Sequence, residues 1–320
     1  MGTPEFAVAS LEILVKNNYD VVAVVTSPDK PAGRGQQIQQ SAVKKFALQH
    51  NLKILQPTNL KDELFLEELK SLKPDLQIVV AFRMLPETVW NLPPLGTYNI
   101  HASLLPNYRG AAPINWAIIN GEKETGVTSF KLKHEIDTGS ILLQEKVAIS
   151  NKMNVGELYE VLMQTGADLL LKSVKKIEAG NVVLTEQNKL LKAGKEARHA
   201  PKLFKENCKM DWNKSGKEIY NLIRGLSPYP CAWTELNLQN GNKTAFKIIA
   251  STFEEGQHIL KSGSILSDLP TGQAGKKTFL KVACNGGVIN ITELQMAGKK
   301  KLPTVDFLKG FSFEENSFFS

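Results

Sequence analysis

Along the first half of the chain, apolar positions recur with two different periods. Phe6, Leu11, Leu14 and Val15 fall at helical spacing and Asn17-Asn18 ends the run, so a helix is predicted over residues 6–17. VVAVVT, residues 21–26, is continuously apolar, as a strand buried on both faces requires. The polar stretch SPDKPAGRGQQIQQ follows and reads as a loop. Helical patterns then cover residues 41–50 and 61–72, and LQIVVAF at 76–82 is strand-like. Short strands are predicted at 98–101, 126–132 and 141–149. A long amphipathic helix spans 155–180, with Asn154 and Glu157 spaced as a capping box. Strands alternating with helices imply an α/β domain with a mostly parallel, Rossmann-like sheet.

The pattern changes in the rear part. Residues 191–213 are lysine-rich, lack a long apolar period and read as a linker. A helix at 217–226 is stopped by Pro228 and Pro230. Short β-like runs follow (AFKIIASTF, GSILSD, FLKVAC, GVINITELQ), divided by Gly, Asn, Asp and Pro, which predicts a small OB-like barrel or a sandwich. The division expected is 1–190 catalytic, 191–207 linker and 208–320 barrel, in keeping with 320 residues. The chain opens on the turn-like MGTPEF, whereas a doubly wound domain opens on a strand. The first strand is therefore absent from this form of the chain, or was never part of the fold.

Composition narrows the class. No apolar run is long enough to span a membrane and no signal peptide is visible, so the cytoplasm is expected. Three scattered cysteines argue against a disulfide framework, and five dispersed histidines give no support for a metal site. The net charge of +7 is carried mainly by the rear half. Two readings stay open: a polyanionic partner, or a solvated lysine-rich surface. The usual nucleotide signals fail, since Gly33 and Gly35 lack a third glycine and neither a Walker loop nor a G-x-S-x-G elbow is present.

The densest chemistry lies in NIHASLLPNYRGAAPINWAIING, residues 99–121. Ligands of open α/β sheets sit beyond the carboxyl ends of strands. On a strand ending at His101, Asn99 and His101 point to the same face. A strand-end histidine is more commonly structural, and the Asp-Thr-Gly at Asp137 is also ordinary turn chemistry. Together, Asn99, His101 and Asp137 form a plausible set for acyl transfer without a covalent intermediate. The amide can donate to an oxyanion, the imidazole can relay a proton, and the carboxylate can orient the imidazole.

That segment, followed by ETGVTSFKLKHEIDTGSILLQ, resembles the signature of the folate-dependent formyltransferases. MGTPEFAV, TSPDKPAGRG, VVAFRMLP and SPYPCAWTEL also match, so the resemblance covers nearly the whole chain. It implies formyl transfer from 10-formyltetrahydrofolate to an amine, with Asn99, His101 and Asp137 as the catalytic residues and no metal. It assigns Ser103, Leu104, Leu105 and Pro106 to the folate site, and Phe82, Arg83, Met84 and Leu85 to the lining of the pterin pocket. The basic loop with Lys30 and Arg34 corresponds to an element that engages the acceptor end of initiator methionyl-tRNA, and the rear barrel to a tRNA-binding domain. The implied enzyme is a cytoplasmic monomer. The basic loop, SPYPCAW and the basic barrel favour this acceptor over a UDP-amino-sugar, the nearest rival. A folate- or RNA-binding module without turnover is the reading from a different class.

Two departures accompany the resemblance. Family members carry an apolar strand before MGTPEF, so its loss is expected to expose strand edges and apolar faces, with an internal methionine serving as the start. Glu135 in KHEIDTG stands in a segment where a glycine often precedes the apolar residue and the aspartate, while Asp137 itself is kept.

Overall fold

The structure, a computed structural model, describes residues 1–32, 37–191, 196–267, 279–314 and 316–320. The chain forms two compact units. The first comprises residues 1–113, 124–148 and 159–201, and the second comprises 114–123, 149–158 and 202–320.

In the first unit the strands are β1 (Val24–Val25), β2 (Lys30–Ala32), β3 (Gln37–Gln39), β4 (Ile54–Leu55), β5 (Gln77–Val80), β6 (Thr97–His101), β7 (Arg109–Gly110), β8 (Glu124–Lys131), β9 (Ser140–Ala148) and β10 (His199–Ala200). β4 pairs β1, and β5 pairs β6, both in parallel. β8 and β9 then add antiparallel strands beyond β6. The mostly parallel sheet expected from sequence thus becomes antiparallel at one side. The eight residues 132–139 joining β8 to β9 are too few for a crossover, so the chain must return as a hairpin.

The helices form where local chemistry specifies them. Ser41 caps the helix Ala42–Gln49 by accepting from Lys44 N at 3.0 Å, and Asp62 caps Glu63–Ser71 by accepting from Phe65 N at 3.0 Å. The apolar stripe of the second enters the sheet's core, where Phe65 and Leu69 pack with Val25, Leu55, Val79 and Val89. The loop expected over residues 27–40 instead contains a two-stranded ribbon, β2 against β3. Its base is tied by Asp29, which accepts from Lys44 Nζ at 2.6 Å and Gln56 Nε2 at 2.9 Å. The Lys44 contact holds the Asp29 carboxyl below the usual carboxylate range.

Met1 and Gly2 lie between β1 and β5. Gly2 N donates to Val25 O at 3.0 Å, and Val80 N donates to Met1 O at 2.9 Å. The Met1 amine is buried and donates to Ile78 O at 2.7 Å; burial lowers its pKa to about 5. Beside it is a cavity of about 490 Å³, lined among others by Leu11, Leu14, Val22, Leu76, Ile78 and Val174.

In the second unit the strands are β11 (Ala232–Asn237), β12 (Lys243–Glu255), β13 (Ile265–Ser267), β14 (Leu280–Cys284), β15 (Gly287–Met296), β16 (Leu302–Pro303) and β17 (Phe318–Phe319). They pair antiparallel in the order β13-β14-β15-β12-β11-β17, with β16 beside β15. A bridge from Ser264 to Phe318 brings the two edges together, giving a nearly closed barrel. Its core includes Phe246, Ile248, Val282, Ile289 and Leu294, with the rings of Phe307 and Phe319 edge-on to Phe246. The helix Gly216–Leu226 is fixed at its start by a Ser215/Glu218 capping box.

The cavity by Met1 is lined on one side by residues 19–24 and on the other by residues 73–80. Fusing five valine and isoleucine residues ahead of Met1 is expected to remove the buried amine, fill the cavity and raise Tm by about 5 °C or more. A Gly/Ser fusion of equal length serves as control. Equal Tm values for the two fusions would show that the cavity does not accept a strand.

Candidate active site

β6 places Asn99 and His101 on one face, two residues apart, as strand alternation requires. Because β5 and β6 are parallel, the chain leaves both at the same edge of the sheet. Residues 81–85 follow one strand and residues 102–106 follow the other, side by side at the carboxyl ends where α/β sheets hold ligands.

His101 is buried. Its Nε2 lies 2.8 Å from the backbone oxygen of Tyr108. A carbonyl can only accept, so Nε2 carries the proton and, in the neutral ring, Nδ1 is the free lone pair. Nδ1 faces Asp137 Oδ2 across 3.9 Å, too long for a direct hydrogen bond. The half-buried Asn99 carboxamide makes no hydrogen bond to another of the described residues. It is therefore a donor free to meet a ligand.

Asp137 occupies the β8–β9 turn with φ +54°. Its Oδ2 accepts from Gly110 N at 3.0 Å, which directs the carboxylate toward His101. Two glycines permit this geometry. Gly110 has φ +121°, and a Cβ there would meet Ala200 O at 2.5 Å across the β7–β10 pair. At the foot of the turn, a Cβ on Gly139 would meet Lys131 O at 1.8 Å. The stretch expected to be a plain linker therefore contributes a strand, β10, that supports the residue holding Asp137.

The segment Ser103–Pro106 leaves β6 as a strap pinned from below. Thr128 Oγ1 donates to Ser103 O at 2.6 Å and accepts from Leu105 N at 3.1 Å. Gln144 Nε2 donates to both Leu105 O and Thr128 Oγ1 at 2.9 Å. Ser103 Oγ donates to Asn107 O, and Leu105 is buried against Phe130 and Ile141. Leu104 is half-buried and Pro106 buried.

After β5, Phe82 is half-buried and Met84 exposed, while Leu85 is buried in the core with Val79 and Val89. Arg83 donates to the carbonyls of Thr58 and Pro57, and its guanidinium lies 5.7 Å from the Phe82 ring centroid. Lys30 is exposed on β2, with no contact to His101 or Asp137 among the described residues. Arg34 lies outside the described residues. Among the described residues no group of three or more His, Cys, Asp or Glu side chains is placed to hold a metal ion, and no helix is long and apolar enough to cross a membrane.

The sequence reading missed Thr128, Gln144, Arg109 and Gln187. Each acts through groups distant in the chain, Arg109 through the Gln187 side chain and the others through backbone, which leaves no local pattern to detect.

A buried imidazole thus faces a carboxylate at the carboxyl edge of an α/β sheet, beside a pinned strap. The chain belongs to the formyl transferase family: the model described as Formyl transferase matches residues 1–174, and that described as Formyl transferase, C-terminal domain, matches residues 202–312. Its curated relatives are described more narrowly. The methionyl-tRNA formyltransferase of Bacteroides fragilis (strain ATCC 25285) is 52% identical over 315 residues, covering 98% of this chain and 95% of the relative. That of Flavobacterium johnsoniae is 52% identical over 317 residues, covering 99% and 96%. Within the family the chain groups with these methionyl-tRNA formyltransferases, which are one-carbon transferases. Among solved structures, WlaRD, a sugar 3N-formyl transferase crystallised in the presence of dTDP and 5-N-formyl-THF, shares the fold. Its TM-score is 0.63 at 21% identity, covering 93% of this chain and 97% of that one.

Thr128→Val removes a donor and an acceptor from beneath the strap while keeping volume. A loss of about 1–3 kcal/mol in stability is expected, measured by denaturant titration. A change below about 0.5 kcal/mol would show that the strap is held by packing alone.

Proposed function

We propose that the chain transfers the formyl group of 10-formyltetrahydrofolate to the α-amine of initiator methionyl-tRNA, with Asn99, His101 and Asp137 as catalytic residues. The observation that carries this reading is the facing pair of His101 Nδ1 and Asp137 Oδ2, 3.9 Å apart. The methionyl-tRNA formyltransferases that are 52% identical support the acceptor, and the folate in the WlaRD crystals supports the donor class.

The amine nitrogen adds to the formyl carbon on N10, forming a C–N bond and placing negative charge on the former carbonyl oxygen. Asn99 donates to that oxygen; a preorganised donor of this kind contributes roughly 2.7–4 kcal/mol to the transition state. The attacking nitrogen then sheds a proton. Nε2 is engaged by Tyr108 O, so Nδ1 is the nitrogen that takes it. Asp137, 3.9 Å away, stabilises the resulting imidazolium electrostatically. The proton passes to N10 as the C–N10 bond breaks, giving tetrahydrofolate and the formylated amine.

In this reading Ser103, Leu104, Leu105 and Pro106, with Phe82, Arg83, Met84 and Leu85, line the folate site. Lys30 and Arg34 engage the acceptor end of the tRNA. Residues 1–190 form the catalytic domain, 191–207 the linker and 208–320 a tRNA-binding barrel. Trp233 supports that last assignment: Lys205 Nζ and Lys209 Nζ lie 5.1 Å and 5.3 Å from its ring centroid. Aromatic rings beside cations suit a nucleic-acid backbone with unstacked bases. The enzyme works as a monomer in the cytoplasm.

The test is to supply 10-formyltetrahydrofolate with either methionyl-tRNA or a UDP-amino-sugar and identify the formylated product. Formyl-methionyl-tRNA is expected. Sugar formylation alone would replace the acceptor, and no turnover with either would favour a binding module. His101→Ala and Asp137→Ala should each lower kcat by about 100-fold or more while folate binding persists. Turnover near wild type in either variant removes that residue from the mechanism.

A further inference from the structure

Gln187 is buried at the start of a short 3-10 helix, Gln187–Leu190. The chain reaches this point by pairing Thr185 with Ile141 of β9 through two 2.8 Å hydrogen bonds. The Gln187 amide then uses all four of its hydrogen-bonding positions. Oε1 accepts from Arg109 Nε at 3.0 Å and from Arg109 Nη2 at 2.6 Å. Nε2 donates to Asp137 O at 2.7 Å and to Gly139 O at 2.8 Å. The orientation has no freedom, because a guanidinium only donates and a carbonyl only accepts.

These four bonds join two parts of the site that have no other covalent or sheet connection near at hand. On one side is the run from Tyr108 to Gly110, whose carbonyl at Tyr108 orients His101 and whose amide at Gly110 holds Asp137 Oδ2. On the other is the Asp137 turn, held at φ +54°. Aspartate tolerates this left-handed turn conformation, and the surrounding hydrogen bonds fix which way it is held. Gln187 supplies that constraint from the main-chain side, while Gly110 supplies it from the carboxylate side. Without Gln187, two carbonyls of the turn and the Arg109 guanidinium lose their partners together.

We infer that Gln187 is a positioning residue for formyl transfer: by tying the backbone of the Asp137 turn to Arg109, it sets the carboxylate opposite His101 Nδ1. The inference rests on the proposed roles of His101 and Asp137. A displacement of about 1 Å in such a site costs on the order of 100-fold in rate without weakening substrate binding.

The test is a double-mutant cycle on the full chain, combining Gln187→Leu or Gln187→Glu with Asp137→Ala, and measuring kcat and both KM values. Gln187→Leu removes every bond. Gln187→Glu keeps an acceptor for Arg109 at nearly the same volume but turns a second acceptor onto the two carbonyls, so it carries the test where the leucine variant fails to fold. Each single Gln187 variant is expected to lower kcat by about 10- to 100-fold, with KM values changed less than about threefold. In the Asp137→Ala background the same substitution should change kcat by less than about twofold, because the group being positioned is gone. A folded Gln187→Glu variant with undiminished kcat overturns the inference, as does a loss repeated in full in the Asp137→Ala background. Should Asp137→Ala alone retain turnover, the proposed relay fails first; should it collapse while the Gln187 variants do not, the positioning role alone fails.

Discussion

The hydrogen bond from Gly110 N to Asp137 Oδ2 is the contact on which the site depends. Asp137 belongs to a hairpin turn, and its own turn gives the carboxylate no reason to point inward. One backbone amide, presented by a residue with φ +121° and braced by the Ala200 strand, draws it toward His101. The support is mutual: Tyr108, two residues earlier, fixes the histidine ring through its carbonyl. A single run of three residues thus orients both members of the pair.

That arrangement needs the sheet to change direction at β6. The parallel strands β5 and β6 bring their carboxyl ends together and so gather the segments at 81–85 and 102–106. The antiparallel strands β8 and β9 return the chain so that their connecting turn reaches the same edge. An all-parallel sheet would have placed a crossover helix where the Asp137 turn lies. β8 and β9 also carry Thr128 and Gln144, which hold the strap after His101 from the opposite side. The polar groups of Thr128 and Gln144 beneath the strap are hydrogen-bonded to its backbone, which fixes its geometry.

The second unit uses different physics. Its stability comes from an aromatic and aliphatic barrel core in which Phe246 contacts Phe307, Phe311 and Phe319 edge-on. Its two ends meet through Ser264 and Phe318, which limits the exposed strand edges that promote aggregation. On its surface Lys205 and Lys209 lie beside the Trp233 ring, and Lys209 also pairs with Glu235 at 3.0 Å.

Much of this was legible in the residues themselves. Periodicity located the helices beginning near Glu5, Ala42, Glu63 and Gly216, because their apolar stripes, and the caps of the last three, are local properties. Strand alternation put Asn99 and His101 on one face, and the motif around them singled out Asp137. Lengths were less legible: VVAVVT yields only the two-residue strand Val24–Val25, because strand extent is set by which neighbours pair with it. The strand inside the lysine-rich stretch gave no signal, since it exists through a partner far along the chain, while the ribbon of β2 and β3 is a local hairpin whose proline and polar residues lack the apolar alternation of a strand. The sequence by itself determined most element types and the family motif, and it singled out the candidate residues Asn99, His101 and Asp137, all from spacings of a few positions. Tertiary structure alone decided which nitrogen of His101 is free, how Asp137 comes to face it, and that Gln187 and Arg109 stand behind them. Those are matters of hydrogen-bond geometry between residues 7 to 78 positions apart, and no periodic pattern carries that information.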